Sequence, residues 1–243
     1  MDRHVKRNLW PHIELQRTEI NWIPLDINGE LYLTYSIDPL RVMKCNQWTG
    51  DCKFVHEQAG TKDNAFLYTN DHLRGGTPWV LYKYPYYISL AHSVSATYKP
   101  YMDFAIYNAH LVVLSVEPWR VVYTSGAIHA NSEWLNSEPI IRNHTIKGAF
   151  WYPTGLILWD EDVMDISCHL NDASGHVLRF KGLAAIMEQV IKNDKVTEVK
   201  SEPDVRVVQQ YVLETVKELH KGVWEFFGDI IKHTVEGKDI AIT

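Results

Sequence analysis

The stretch Asn-Trp-Ile-Pro-Leu-Asp-Ile-Asn-Gly-Glu-Leu-Tyr-Leu-Thr-Tyr-Ser-Ile-Asp-Pro, residues 21–39, decides the fold class. Residues 22–27 and 31–37 have the composition of two short strands, and Asn28-Gly29 lies between them. An Asn-Gly pair adopts a type I′ hairpin turn easily, because both central residues of that turn need a positive φ. The stretch therefore predicts an antiparallel β-hairpin.

The same pattern continues along the chain and predicts three groups of strands. Residues 41–45 and 53–56 complete a first group of four strands around the Thr49-Gly50 turn. The second group comprises residues 77–82, 86–92, 110–116 and 120–124. The third comprises residues 149–159, 163–170 and 176–180, and its fourth strand is unclear. Repeats of one small sheet each predict a mainly β, propeller-type body, with a β-sandwich as the alternative.

The C-terminal quarter of the chain predicts helix instead. A short helix is expected at residues 183–191, followed by a polar linker at 193–200. Beyond Ser201, a plausible N-cap, apolar residues recur at helical spacing from Val205 to Ile230. We therefore divide the chain into a β-propeller-like domain, 1–182, and a helical tail, 183–243. The apolar stripe of the tail packs on its own domain or forms a seam with a second copy, which would make a homo-oligomer.

Composition narrows the classes of function. The chain has 243 residues, of which 46% are hydrophobic and 22% are charged, with a net charge of −6. Nucleic acid is not an expected partner, because the chain lacks a basic excess. Neither a membrane span nor a signal peptide is recognisable, which favours the cytoplasm. The motif search finds no metal signature and no nucleotide-binding loop, so we expect neither a metal nor another cofactor.

Two of the three cysteines, Cys45 and Cys52, flank a turn-rich hexapeptide. They could face each other across a hairpin and form a disulfide. Free thiols are favoured, because no signal peptide directs the chain to an oxidising compartment.

Polar residues at matching strand ends are the candidates for chemistry. Asp38, His92 and Asp172 close the second strand of the first, second and third groups. Equivalent positions in a propeller converge near the central axis, where a ligand binds. The stretch at residues 72–78 adds Arg74, whose planar guanidinium suits a phosphate, a carboxylate or sugar hydroxyls. A tight turn is the alternative interpretation of its two glycines.

Three motifs together resemble the five-bladed β-propeller carbohydrate-active enzymes, and most of all the β-mannoside phosphorylases and β-mannosyltransferases. The resemblance covers roughly residues 19–180. The motifs are residues 19–24 followed by 28–39; Arg74-Gly75-Gly76-Thr77-Pro78 leading to Tyr86-Tyr87; and residues 150–156 leading to His169-Leu170-Asn171-Asp172.

The resemblance implies a glycosyltransferase, phosphorylase or hydrolase (glycosidase) that acts on mannose-like glycosides with inversion, at the propeller axis. Asp38 and Asp172 are the candidate catalytic carboxylates, and Arg74 would hold a phosphate or an acceptor hydroxyl. The remaining substrate-binding candidates are Asn21, Trp22, Thr77, Trp79, His92, His169 and Asn171, with Trp22 or Trp79 stacking on a sugar ring.

Two features depart from the family. Thr77 stands where the family often carries the aspartate that serves as the acid, and a hydroxyl cannot protonate a leaving group. Only three sheets are recognisable where five blades are expected. The alternative function is therefore a non-catalytic glycan-binding or scaffold propeller that has lost the acid residue.

Overall fold

The computed structural model describes residues 21–58, 73–97, 104–139, 146–147, 149–196 and 214. These residues form a mainly β structure of three separate sheets. The N-terminal 20 residues and the apolar stripe from Val205 to Ile230 lie outside the described residues, so the predictions for the apolar stripe stay predictions. No helix within the described ranges is both long and apolar enough to cross a membrane.

The first sheet is an antiparallel meander in the order β1-β2-β3-β4. Its strands are β1 (Ile23–Ile27), β2 (Glu30–Ile37), β3 (Leu40–Cys45) and β4 (Cys52–Glu57). The predicted Asn-Gly turn is confirmed, since Asn28 and Gly29 have φ values of 56° and 80°. Cys45 and Cys52 are paired across β3 and β4 and form a disulfide, with their Cα atoms 4.1 Å apart. The expectation of free thiols at this pair was therefore wrong, because strand register places the two residues opposite each other.

The second sheet is also a meander, in the order β5-β6-β7-β8. Its strands are β5 (Val80–Lys83), β6 (Tyr86–Thr97), β7 (Phe104–Val116) and β8 (Trp119–Thr124). The short β9 (Ile146–Lys147) pairs in parallel with β7. β6 extends beyond the predicted strand to Thr97, and β7 begins earlier than predicted, at Phe104. The two added stretches pair with each other, and this pairing gives them their strand structure.

The third sheet has three strands, β10 (Trp151–Leu158), β11 (Val163–Leu170) and β12 (Ser174–Lys181). The helical segments are α1 (Ser132–Leu135), between β8 and β9, and α2 (Leu183–Val196), after β12. α2 confirms the short helix expected at 183–191 and extends into the predicted linker. No sheet in the described part of the chain closes into a barrel.

The middle sheet is buried on both faces. Alternate residues of β6 and β7, such as Ala91 and Val112, belong to a cluster shared with the first sheet. The residues between them, such as Leu90 and Val113, belong to a cluster shared with the third sheet. Since side chains alternate across a strand, each face of the middle sheet packs against a different neighbour. The three sheets are therefore stacked as layers with the second in the centre.

Helix α2 completes the second of these clusters. Leu183, Met187 and Val190 recur at helical spacing and are buried with residues of the second and third sheets. Asp194 near the end of α2 forms an ion pair with Arg120 and accepts a hydrogen bond of 2.8 Å from the Tyr86 hydroxyl. The helix is therefore part of the packed body, although its residues belong to the segment assigned to the tail.

Gly76 provides a direct test of this packing. A Cβ atom added there would lie 2.2 Å from the carbonyl oxygen of Leu90, far inside contact distance. We expect Gly76→Ala to lower the free energy of unfolding by about 2–3 kcal/mol, because a backbone group of β6 has to move. Gly175→Ala is the control, since nothing lies within 4 Å of its added Cβ, and should change stability by less than about 0.5 kcal/mol. Chemical denaturation of both variants measures the difference, and equal stabilities would contradict this packing.

Candidate functional site

Each sheet has one end at which its first strand begins and its second strand ends. In the first sheet, Ile23 near the start of β1 is paired with Thr34 towards the end of β2. In the second, the backbones of Arg74 and His92 exchange hydrogen bonds of 2.8 and 2.9 Å. In the third, Tyr152 is paired with His169. The candidate residues Asn21, Trp22, Asp38, Arg74, His92, His169, Asn171 and Asp172 all lie at this end of their sheets.

Contacts between the sheets bring these ends together. The first two sheets are joined by a hydrogen bond of 3.1 Å from the Trp79 amide to the Pro24 carbonyl. A Cβ on Gly75 would lie only 2.1 Å from the carbonyl oxygen of Asn21, so glycine permits the close approach of these two segments. The second and third sheets meet through the rings of His92 and Tyr152, whose centroids are 4.7 Å apart. We call this region the shared end.

An aromatic cluster lines the shared end between the second and third sheets. The Tyr107 ring lies 5.0 Å from that of Phe150 and 6.1 Å from those of His92 and Tyr152. Burial raises the pKa of Tyr152 to about 12, with the Tyr107 hydroxyl acting in the same direction and the positive charge of Arg74 against it. Tyr152 therefore stays a neutral hydrogen-bonding phenol at physiological pH, within the electrostatic reach of Arg74.

Asp172 lies next to the aromatic cluster, because the residue before it, Asn171, is hydrogen-bonded to Phe150. Asn171 exchanges hydrogen bonds with the backbone of Phe150, while Asp172 is exposed in the β11–β12 turn. Asp38 is partly buried in the β2–β3 turn. The residues on either side of that turn, Ile37 and Leu40, belong to the hydrophobic cluster that contains Ala91, next to His92. The two candidate carboxylates thus lie in corresponding turns of the first and third sheets.

Three of the predicted substrate contacts have structural roles in the described structure. The Trp79 ring is buried in the core, and its indole N–H donates to the Thr34 hydroxyl at 3.0 Å. The Thr77 hydroxyl is fully buried, accepts the Leu90 amide at 2.9 Å and lies 3.2 Å from the Ser89 hydroxyl. Asn171 is fully buried as well. The partly exposed Trp22 is not turned towards the second sheet either: its ring lies 5.7 Å from that of Tyr35, in a cluster on the opposite face of the first sheet.

Asn171 fastens the third sheet to the segment around α1. Its side-chain carbonyl accepts the Phe150 amide at 2.9 Å, and its NH₂ group donates to the carbonyls of Leu135 and Glu138 at 2.6 and 2.9 Å. Its φ of 55° is one that asparagine tolerates better than most residues. This role could not be predicted from the sequence, because the three partners are distant from Asn171 along the chain.

Tyr107, Phe150 and Tyr152 were not among the predicted site residues. Phe150 and Tyr152 belong to one of the motifs quoted above, but their contact with His92 depends on how the third sheet packs on the second. Tyr107 lies in the part of β7 that the alternation of residues did not predict. Within the described ranges, no group of three His, Cys, Asp or Glu side chains is arranged to hold a metal ion.

Comparison with known proteins identifies no family for this chain. A scan against protein-family models finds no match, and no curated protein matches the chain either. The resemblance to propeller enzymes therefore depends on the sequence motifs alone.

Replacing Asn171 tests whether its side chain stabilises the fold or is available to bind a ligand. Asn171→Ala leaves a buried amide and two carbonyls without their partner, so we expect the free energy of unfolding to fall by about 3 kcal/mol or more. Ala173→Ser changes an exposed side chain in the same turn and should alter stability by less than about 0.5 kcal/mol. Urea denaturation measures both variants. A stable Asn171→Ala protein would argue that Asn171 is instead available to a ligand.

A second histidine near the shared end makes stability depend on pH. His110 is fully buried between two partners, with Nδ1 donating to the Ser125 carbonyl at 3.2 Å and Nε2 lying 2.8 Å from the Ser93 hydroxyl. Burial is the main cause that lowers the pKa of His110 below 6.5, and desolvation lowers the pKa of His56 as well. The unfolded chain therefore binds more protons than the folded one at mildly acidic pH.

We expect this stability to be complete above pH 6.5 and to be lost progressively as the pH falls below that value. His110→Gln should flatten the dependence between pH 7.5 and 5. The control His169→Gln, at an exposed position, should leave it unchanged. Denaturation midpoints across this pH range provide the measurement. A His110→Gln protein with the slope of the wild type would show that other groups cause the dependence.

Proposed function

We propose that the chain is a glycan-active protein that binds mannose-like glycosides at the shared end and transfers the sugar with inversion. The observation that carries this proposal is the convergence of corresponding ends of three sheets. It places Arg74 and His92 beside an aromatic cluster, with Asp172 bordering it. Sugar sites combine ring surfaces with several directional polar groups, and this region offers both.

A propeller-type arrangement is part of the proposal. Two features support it: each sheet is an antiparallel meander, and the sheets stack face to face. The hydrogen bond from Trp79, the residue before β5, to Pro24 in β1 brings the first strands of two of these sheets close at one point. In such an arrangement the first strands line an axis, and the shared end is one mouth of it.

The roles of the residues follow from the chemistry of inversion. Asp172 or Asp38, protonated, gives its proton to the glycosidic oxygen as that bond breaks. A phosphate, a water molecule or a sugar hydroxyl attacks the anomeric carbon from the opposite face, and Arg74 holds the phosphate or the acceptor hydroxyl. Asn21 and the exposed His169 would bind sugar hydroxyls. The Tyr152 ring, rather than Trp22, would lie against the sugar, and the buried His92 would hold that ring in place.

A non-catalytic, glycan-binding protein is the second candidate, and Thr77 is the observation in its favour. Thr77 stands where the related enzymes often carry the acid, and its hydroxyl is fully engaged in bonds to β6. A protein that binds glycans without turnover would need the aromatic and polar groups of the shared end but no proton donor.

Phosphorolysis of a β-linked manno-oligosaccharide distinguishes the two candidates. The protein is incubated with mannotriose and inorganic phosphate, and α-mannose 1-phosphate is measured, since inversion of a β-glycoside gives the α-phosphate. We expect Asp38→Asn or Asp172→Asn to lower the rate at least 100-fold, as loss of general acid catalysis does. Arg74→Ala should raise the KM for phosphate.

Glu161→Gln is the matched control, because it removes an exposed carboxylate at the opposite end of the third sheet. It should leave the rate unchanged. Turnover with water or a sugar acceptor in place of phosphate is followed in parallel. Binding of mannotriose without any product, unchanged in both aspartate variants, would favour the non-catalytic candidate. Absence of both binding and turnover would contradict the proposal.

A further inference from the structure

The β3–β4 hairpin displays one tryptophan on a loop fixed by several bonds. The ring of Trp48 is 95% exposed. The Cys45–Cys52 disulfide closes the base of the loop. Within the loop, the Asn46 side chain accepts the amides of Trp48 and Thr49 at 2.8 and 3.1 Å. The backbone at Trp48 is therefore fixed before any ligand arrives, which lowers the entropic cost of ordering the loop on binding.

The loop is also attached to the neighbouring β1–β2 turn. The Gln47 side chain donates to the carbonyl of Gly29 at 3.0 Å, and Lys44 forms an ion pair of 2.6 Å with Glu30. An open cleft of about 640 Å³ lies between the two turns, bordered by Trp48 and by polar side chains. Its ionic lining residues are Glu30, Lys44, Asp51 and Lys53.

This cleft is distinct from the shared end. The β2–β3 turn belongs to the shared end, and β3 runs from it to the Trp48 loop. At about 3.3 Å per residue, the six residues of β3 separate the two regions by roughly 20 Å. A ligand in the cleft would not touch the residues proposed for chemistry.

We infer that the Trp48 cleft is a second binding site for a neutral glycan. A pyranose ring has an apolar face of C–H groups and a rim of hydroxyls. The flat indole suits the face, and the amide and charged side chains around it suit the hydroxyls. Two acidic and two basic residues line the cleft, so their formal charges balance. That balance favours a neutral ligand over an anionic membrane or a nucleic acid, which require a basic excess.

A single exposed apolar side chain is common on protein surfaces and by itself indicates nothing. Trp159 illustrates this case: its ring is 62% exposed, but its indole N–H donates to Asp165 and the Arg179 guanidinium lies 6.0 Å from the ring centre. Trp48 differs because it borders a cleft and stands on a closed, internally bonded loop. Trp159 is therefore a matched control for Trp48.

Affinity electrophoresis of the full chain in native gels with soluble galactomannan tests this inference. The choice of a β-mannan as the probe rests on the proposed function. That the cleft binds a neutral glycan is inferred from the cleft's own residues and does not rest on that function. We expect galactomannan to slow the wild-type protein, and Trp48→Ala to raise the dissociation constant at least tenfold. Trp48→Phe should retain part of the binding, because it keeps an aromatic face. Trp159→Ala should behave like the wild type.

The outcomes separate this site from the shared end. Asp38→Asn and Asp172→Asn should be retarded like the wild type even where they abolish turnover of mannotriose. Retardation that depends on Trp48 would support the second site even if no turnover is ever detected. The inference is overturned if the wild type is not retarded, if Trp48→Ala is retarded equally, or if Trp48 is needed only for binding to vesicles of phosphatidylcholine and phosphatidylserine.

Discussion

The structure depends on the burial of the middle sheet on both faces. β6 and β7 send alternate side chains to opposite sides, and residues such as Ile88, Val112, Val113 and Leu114 have no exposed surface. Each apolar side chain of this size stabilises the fold by about 1.5–3 kcal/mol when it is buried. Because the first and third sheets each cover one face, neither can move away without exposing half of the middle sheet. This constraint fixes the three layers and brings their ends together.

The shared end is a consequence of that stacking. Polar residues at the ends of strands are usually accounted for by turns and hydrogen-bonded caps. Here the packing of layers sets His92 of the second sheet against Tyr152 of the third, and the segment of Asn21 against Gly75. The candidate carboxylates Asp38 and Asp172 lie in turns, and the well-packed strands on either side of each turn fix where that turn lies. Asn171 extends this support by tying the third sheet to the segment around α1.

The order of strands could be predicted from the sequence because short-range signals determine it. Asn28-Gly29 specifies a hairpin, and alternating residues identify most of the strands. The Cys45–Cys52 disulfide was visible in the local pattern as one alternative, and the compartment expected from the sequence led to the wrong choice. The roles of Trp79, Thr77 and Asn171 depend on contacts between sheets, which no local pattern contains. Trp79 illustrates the difference. From the sequence, an aromatic residue beside a motif can be interpreted either as a platform for a sugar or as a core residue. The hydrogen bond to Thr34 shows that Trp79 is a core residue. The propeller arrangement remains a proposal, supported by the stacking of the three sheets.

Native-state hydrogen exchange tests the central claim that the middle sheet holds the layers together. The account predicts that amides of β6 and β7 between Tyr87 and Ala91 and between Ala109 and Leu114 exchange only through global unfolding. Their exchange free energies should then equal the free energy of unfolding measured by denaturation. Amides of β4 and β12, the outer strands of the first and third sheets, should exchange through smaller openings. Faster exchange in β6 and β7 than in β12 would contradict the account.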